Sequence, residues 1–334
     1  MIFSVKAGEN GYDVVVGRGI LSDVGELLNL DRRVLVVTDD GVPKTYSEKI
    51  EKVCKKCVKV CLKQGEQSKN FDNFKLLLYT MLQNDFTRKD CVVAVGGGVV
   101  GDISAFSASC YMRGIEFYNV PTTLLSQLDS SIGGKTAIDF EGVKNVVGSF
   151  YQPSKVIIDI DTLDTLDERQ LHAGLVEAIK MAATSDKKLF ERIENSENLK
   201  DDLLEIVQAS LAIKKDVVEK DPKENGLRKV LNFGHTLGHA IESAQNGALL
   251  HGECVGIGML PMCSNEVEKR LEKVLKKYDL PTAANCDKNE LLRLMTHDKK
   301  AEGSKIRTVV VNEIGSFEFA DMTAKEILER EDRL

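Results

Sequence analysis

The chain has 334 residues, 43% of them hydrophobic, enough for one large domain or two ordinary ones with a substantial core. Its formal net charge is −7 and it carries no basic tail or long Lys/Arg block, which argues against a nucleic-acid or anionic-membrane partner. No stretch approaches the roughly 18 consecutive apolar residues of a membrane span. The alternating start, Met1–Lys6, lacks the charged and apolar regions of a secretory signal, so a cytoplasmic protein is expected.

Taken in chain order, Tyr12–Val16 alternates like an early strand, and Val34–Thr38 is a compact apolar run typical of a strand buried on both faces of a parallel sheet. Asp39 ends that strand and is open to two readings, a ribose-hydroxyl ligand or a polar turn residue. Val58–Leu62 is the next strand. The following Gly65-Glu66-Gln67-Ser68-Lys69 fits ribose binding through its acidic residue, or equally a polar loop and helix cap. Helical spacing of Phe71, Phe74, Leu78 and Leu82 predicts a helix over 71–84. Cys91–Val95 is another buried strand and runs into Gly96-Gly97-Gly98-Val99-Val100-Gly101-Asp102, after which a helix is expected over 103–112. Such a glycine turn lets backbone approach a diphosphate at a helix N-terminus, although it is not the GxGxxG fingerprint and also serves plain tight packing. Asp102 reads as a carboxylate at the start of that helix, where the dipole favours it.

Gly133-Gly134-Lys135-Thr136 is not a P-loop, because Asp129 stands where the first glycine is required. With Lys144 and Asn145 it predicts a polar, anion-friendly loop. Beyond about residue 165 long helical periods dominate, as in 175–184, 203–219 and 266–278, and strand-like runs almost vanish until Arg307–Val311. The expected architecture is an α/β, doubly wound, Rossmann-like domain over residues 1–165, followed by a mainly α-helical domain over 166–334.

The eight cysteines are scattered, and thiols in the core are expected rather than disulfides. Cys54 and Cys57 have CxxC spacing, but no second pair exists, and they read as the end of a helix running into a strand.

The strongest chemical signal is Asn232-Phe-Gly-His235-Thr-Leu-Gly-His239-Ala, with His251-Gly-Glu253 close behind. Three of only five histidines fall within seventeen residues. His235 and His239, four apart, share one face of a helix, which suits two ligands, or one ligand and one acid/base. Two imidazoles and a carboxylate make an open zinc site. The candidate carboxylate is Glu177, mid-helix among apolar residues, where an unpaired carboxylate is costly. The alternative is a solvent-facing residue paired with Lys180 or other neighbours. Lys214, Arg228 and the pair Lys299-Lys300 would bind an anionic substrate if they converge on the metal.

Seven ordered motifs carry a resemblance that spans roughly residues 10 to 311. They are Gly96–Asp102, Pro121-Thr122-Thr123-Leu-Leu-Ser-Gln127, Asp129–Thr136, Lys144-Asn145-Val-Val-Gly-Ser-Phe150, Glu177-Ala-Ile-Lys180, Asn232–Ala240 and His251-Gly-Glu253. The chain resembles the 3-dehydroquinate synthase family of sugar phosphate cyclases. The resemblance implies a zinc or cobalt ion held by Glu177, His235 and His251. It implies NAD held by Glu66, Lys69, Gly97, Gly98, Val99, Val100, Gly101, Asp102, Thr122, Thr123, Lys135 and Lys144, with Asp39 a further candidate. Substrate contacts are implied for Asp129, Lys135, Asn145, Lys180, Lys214, Arg228, Asn232, His239, Lys299 and Lys300. Of these His239, Lys135, Lys180 and Asn145 are the expected catalytic group, His239 as proton shuttle. Arg113 matches an arginine that reaches the substrate phosphate across a dimer interface, which implies a homodimer.

The implied reaction converts 3-deoxy-D-arabino-heptulosonate 7-phosphate to 3-dehydroquinate and phosphate, a step of the shikimate pathway. It proceeds by transient oxidation with NAD, phosphate elimination with the substrate phosphate as base, return of the hydride, and aldol closure. Sister cyclases that act on substrates without a carboxylate, and metal-dependent polyol dehydrogenases, are the alternatives. Lys214, Arg228, Asn232 and the late lysine pair favour a carboxylated substrate. One departure is visible: the chain passes almost directly from Met259–Cys263 into 264–278, shorter by about one small helix than family members, with altered packing expected there.

Overall fold

The computed structural model describes residues 1–6, 11–297 and 305–330. The chain divides into two compact units, Met1–Leu166 and Asp167–Leu334.

The first unit is built on one sheet. Its strands are β1 (Ile2–Val5), β2 (Tyr12–Gly17), β3 (Arg33–Asp39), β4 (Lys56–Leu62), β5 (Cys91–Gly96), β6 (Glu116–Pro121) and β9 (Lys155–Asp159), in the order β1-β2-β9-β6-β5-β3-β4. Only β1 and β2 pair antiparallel; every other neighbour is parallel. The central strands are apolar on both faces because helices cover both sides. Val34, Leu35, Val36 and Val37 of β3, and Cys91 to Val95 of β5, have no exposed surface. Edge strand β4 instead carries Lys56 and Lys59, charges that discourage edge-to-edge pairing.

Helices α1 (Val24–Leu27), α2 (Lys44–Glu51), α3 (Phe71–Gln83) and α4 (Gly98–Cys110) connect the strands. In α3 the inward stripe is Phe74, Leu77 and Met81, while Phe71 and Leu82 are 48% and 62% exposed. The spacing thus marks the helix but not its inward face, because Leu76, Leu77 and Leu78 make the apolar arc too wide for spacing to choose its centre. Helix α4 starts at Gly98, five residues earlier than expected. Gly96 therefore ends β5, Gly97 is the residue before the helix, Gly98–Gly101 form its first turn, and Asp102 stands in the second.

The predicted loop around Lys135 and Asn145 is a two-stranded hairpin, β7 (Lys135–Phe140) with β8 (Val143–Phe150), which sequence periodicity did not show. Glu141 and Gly142 link the strands with φ of 49° and 79°, the left-handed pair that a two-residue hairpin turn requires. Lys135 sits at the open end, opposite Phe150, whereas Lys144 and Asn145 sit next to the turn. They do not form one loop.

The second unit contains α5 (Glu168–Ser185), α6 (Lys187–Asn195), α7 (Leu199–Lys220), α8 (His235–Gln245), α9 (His251–Met259), α10 (Asn265–Lys277), α11 (Lys288–His297) and α12 (Ala324–Glu329). A small antiparallel pair, β10 (Ile306–Val310) with β11 (Glu318–Met322), completes it. The short passage from α9 to α10 is stitched to the end of β10: Val311 N–H donates to the Met262 carbonyl at 2.9 Å and Ser264 N–H to the Val311 carbonyl at 3.1 Å. Ser264 then caps α10. No helix among the described residues is long and apolar enough to cross a membrane, and none of the described cysteines is in a disulfide. Cys91, Cys254 and Cys263 are buried, but Cys61 and Cys110 are exposed, so the core expectation holds for only some of them.

Candidate active site

In the first unit, most of the residues singled out for a nucleotide lie at or just after the C-terminal ends of parallel strands, whereas Lys135 and Lys144 lie on the β7–β8 hairpin. Asp39 ends β3, Glu66 and Lys69 follow β4, Gly97–Gly101 follow β5, and Thr122 and Thr123 follow β6. Chain progression reverses direction between β3 and β5, and such a switch point opens a crevice for ligands. Gly97 precedes α4 with no side chain capping the helix, which leaves the N-terminal N–H groups turned toward that edge. The glycines are needed for closeness: a Cβ on Gly97 would lie 3.2 Å from the Thr123 methyl, and one on Gly98 3.3 Å from Ser130 Oγ.

Lys69 is buried and donates from Nζ to Asp102 Oδ2 at 2.9 Å, with Glu66 Oε1 at 3.4 Å. Burial pushes the Asp102 carboxyl up to about 6, against the pull of Lys69. Burial lowers the Lys69 ammonium, but the Asp102 and Glu66 charges outweigh it and leave it raised. Asp39 Oδ1 accepts from Gly41 and Val42 N–H at 2.9 and 3.2 Å, so this oxygen shapes the turn. Asp102, Ser130, Ser131, Gly134, Lys135 and Thr136 help line a small polar hollow within this unit.

Asn145 is exposed, has φ of 55°, and donates its backbone N–H to Asp139 Oδ1 at 2.8 Å. Arg113 is likewise exposed, in a left-handed turn with φ of 69° after α4. Asp129 is half-buried in a short π-turn over Ser126–Ser130.

In the second unit three helices converge. Glu177 lies in α5 with 0% exposure, and its carboxylate forms an ion pair with Lys180, itself 2% exposed. Oε1 accepts no hydrogen bond from the described residues. His235 Nε2 is 3.7 Å from that oxygen, and His251 Nε2 is 3.8 Å from it. Both rings are fixed by their other nitrogen. His235 Nδ1 is 3.1 Å from the Phe233 carbonyl, and His251 Nδ1 is 2.9 Å from Glu242 Oε2. Those partners accept, so each Nδ1 donates to them, and each Nε2 is the ring atom turned toward Glu177. His239, one turn beyond His235 on α8, joins them: the ligand nitrogens of the three imidazoles all lie within 4.8 Å of one another.

Burial holds His235 well below the usual imidazole range, with the Lys180 charge and the two neighbouring imidazoles pushing the same way. Burial also works against His251, but the Glu242 hydrogen bond and the Glu177 and Glu242 charges outweigh it and raise this ring.

A glycine and a clamp set this convergence. A Cβ on Gly252 would run into the Ala173 carbonyl, so α9 and α5 touch backbone to backbone. The start of α9 is anchored by Glu253, which accepts Leu250 N–H at 2.7 Å and a bidentate pair from Arg169 at 2.7 and 2.8 Å. Two ligand atoms about 2.1 Å from a tetrahedral ion are about 3.4 Å apart. The observed 3.7 and 3.8 Å therefore fit a divalent cation, as does the orphaned Glu177 oxygen.

Lys214 and Arg228, 3% and 4% exposed, are also in this unit. Asp221 accepts the backbone N–H groups of Asn225, Gly226 and Arg228 at 2.7–3.0 Å, folding the loop that presents Arg228. Asn232 is exposed and donates to Glu224 Oε1 at 2.7 Å. Lys299 and Lys300 lie outside the described residues. Glu242 and Arg169 were not singled out from sequence. Glu242 had a readable signal, seven residues after His235 on the same helix face. Arg169 had none, because its partner is 84 residues away.

Residues 59–173 match the family model described as 3-dehydroquinate synthase N-terminal, and residues 174–301 the one described as 3-dehydroquinate synthase C-terminal. A curated 3-dehydroquinate synthase of Clostridium acetobutylicum is 40% identical over 343 residues, covering 96% of each chain. One of Enterococcus faecalis is 39% identical over 348 residues, covering 98% of this chain and 97% of its own. Among solved structures, a 2-deoxy-scyllo-inosose synthase complexed with carbaglucose-6-phosphate, NAD+ and Co2+ superimposes with a TM-score of 0.90 at 22% identity, over 100% of this chain and 99% of that one. This match shows the fold. A 2-epi-5-epi-valiolone synthase from Streptomyces hygroscopicus with NAD+ and Zn2+ bound gives 0.87 at 27% identity, over 97% of both chains. With both halves of the family matched and relatives aligned over nearly their full length, the chain belongs to the 3-dehydroquinate synthase family.

Proposed function

We propose that this chain is a 3-dehydroquinate synthase, a carbon–oxygen lyase that converts 3-deoxy-D-arabino-heptulosonate 7-phosphate to 3-dehydroquinate and phosphate with NAD and a divalent metal, zinc or cobalt. The observation that carries the proposal is the pair of imidazoles, His235 and His251, each held through Nδ1 and each turning Nε2 toward Oε1 of buried Glu177, an oxygen that accepts no hydrogen bond from the described residues. Buried carboxylates without a hydrogen-bond partner are costly, and a cation-binding role accounts for this one.

Glu177, His235 and His251 would hold the metal, and the strand-end residues of the first unit would hold NAD. The bound groups would supply a hydride acceptor and donor and polarisation of the substrate hydroxyls. Around them the chain's own residues bind and orient. Lys214 and Arg228, buried cations in a helical unit, suit the carboxylate and phosphate of the substrate as charge-assisted partners. Lys180, Lys135, Asn145, Asn232 and Asp129 would fix its hydroxyl groups. Lys299 or Lys300 would complete the anion contacts. His239 is exposed beside the two inner imidazoles. An imidazole both donates and accepts, so it can carry a proton between substrate and solvent. Arg113, exposed in the first unit, would reach the phosphate of a second copy in a homodimer.

The reading is tested by incubating the protein with the heptulosonate phosphate, catalytic NAD, and zinc or cobalt. Equal release of phosphate and 3-dehydroquinate without NADH accumulation is expected. Stoichiometric NADH would instead mark a polyol dehydrogenase. Turnover only of sugar phosphates lacking the carboxylate would mark a sister cyclase.

A further inference from the structure

We infer that Glu242 is the positioning residue for the metal site: its carboxylate fixes the tautomer and the ring plane of His251, and so sets how tightly the site holds a divalent cation. The inference rests on the reading of Glu177, His235 and His251 as ligands.

The residues come from one helix face. Positions 235, 239 and 242 are spaced by four and three, so α8 presents His235, His239 and Glu242 in one stripe. Glu242 reaches back from this stripe to α9, where its Oε2 lies 2.9 Å from His251 Nδ1. The carboxylate is 19% exposed and the His251 ring 29%, so the contact is partly shielded from water. His235 obtains the same service from a backbone carbonyl, that of Phe233 at 3.1 Å. The two imidazoles thus differ in kind. His235 is oriented by main chain that no substitution alters, whereas His251 depends on a side chain.

A charged acceptor does more than hold the proton on Nδ1. It raises electron density at Nε2, the atom offered to the cation, and makes His251 the better donor of the two. Without Glu242, His251 would be able to turn about its χ2 axis or carry its proton on Nε2, where it could not coordinate. His251 stands at the first position of α9, so its backbone is already fixed by the Arg169–Glu253 clamp. The remaining freedom is in the ring, and Glu242 removes it.

The test uses the full chain, stripped by chelator and titrated with Co2+ and Zn2+ alone in competition with a chromogenic chelator. Glu242→Ala is expected to bind both ions 10–100-fold more weakly than wild type. Glu242→Gln, which keeps an acceptor oxygen but not the charge, should recover most of that loss. The visible ligand-field bands of bound Co2+ should differ between the variants, a change that a merely structural role would not produce. Nitrogen NMR of His251 in the stripped wild-type protein should show the proton on Nδ1, and this needs no variant to fold. Binding by Glu242→Ala within twofold of wild type, or a proton on Nε2 of His251, overturns the inference. His251→Ala separates the two levels. If it retains metal as wild type does, the ligand reading itself fails. If it loses metal while Glu242→Ala keeps it, only the role of Glu242 fails.

Discussion

Replacing Lys180 by methionine should make the apo protein less stable and its response to metal larger. Lys180 and Glu177 are 2% and 0% exposed and form an ion pair three residues apart on α5. Without metal, the ammonium is the counter-ion for a carboxylate that water cannot reach. Removing one member of such a pair costs about 3–5 kcal/mol, because the other is left as an uncompensated buried charge. In a unit the size of Asp167–Leu334, about 3 kcal/mol corresponds to roughly 6–12 °C in the thermal transition. A divalent cation at Glu177 would supply the missing charge, so the loaded variant should regain most of the loss. Calorimetric scans of stripped and Zn2+-loaded wild type, Lys180→Met, Glu177→Gln and the double variant separate the contributions. The single Lys180→Met variant should gain several degrees more from metal than wild type does. Glu177→Gln should lose stability and the metal response together. The double variant should recover apo stability, since no charge remains to be compensated, but show no metal response. Equal metal-induced shifts in wild type and Lys180→Met would refute the argument that the lysine stands in for the cation.

Gly252→Ala sets two effects of opposite sign against each other. Helix propensity alone would stabilise α9 by about 1 kcal/mol, but the new methyl would meet the Ala173 carbonyl, and forced separation costs about 1–3 kcal/mol or more. Net destabilisation in urea melts and weaker Co2+ binding are expected; a more stable variant would show that α5 and α9 are not in backbone contact. Asp102 should give a pH signature. Its folded carboxyl is pushed up to about 6 by burial, against about 3.9 unfolded, so the folded state binds more protons in between. This group's contribution is then complete below about pH 4 and lost as pH rises through 6, by at most about 3 kcal/mol. Urea titrations from pH 4 to 7 should show a stability slope in wild type that Asp102→Asn lacks, and identical slopes would remove Asp102 as its source. If the proposed homodimer shares its site through Arg113, Arg113→Ala and His251→Ala should each be inactive, yet mixing them should restore activity, because the first would contribute an intact metal site and the second an intact arginine. No recovery after subunit exchange would count against a shared site.

Much of this chain was legible in its sequence because the relevant signals are local. Runs such as Val34–Val37 and Cys91–Val95 need no alternation when both faces are buried, and they marked central strands at once. His235 and His239 declared a common face by their spacing, and Asn232–Ala240 was one of the seven ordered motifs that carried the family resemblance. Signals that depend on a partner far along the chain were silent. The β7–β8 hairpin turns two stretches read as one polar loop into opposite ends of a ribbon. The inward stripe of α3 was decided by what packs on it, since three consecutive leucines left the pattern ambiguous. Residue type and order determined that two imidazoles and a carboxylate were available. Whether Glu177 met them depended on Gly252 bringing α9 against α5, and on Arg169 and Glu242 holding the ends in place. Those contacts join residues from 9 to 84 positions apart, and only tertiary packing brings such groups within hydrogen-bonding range.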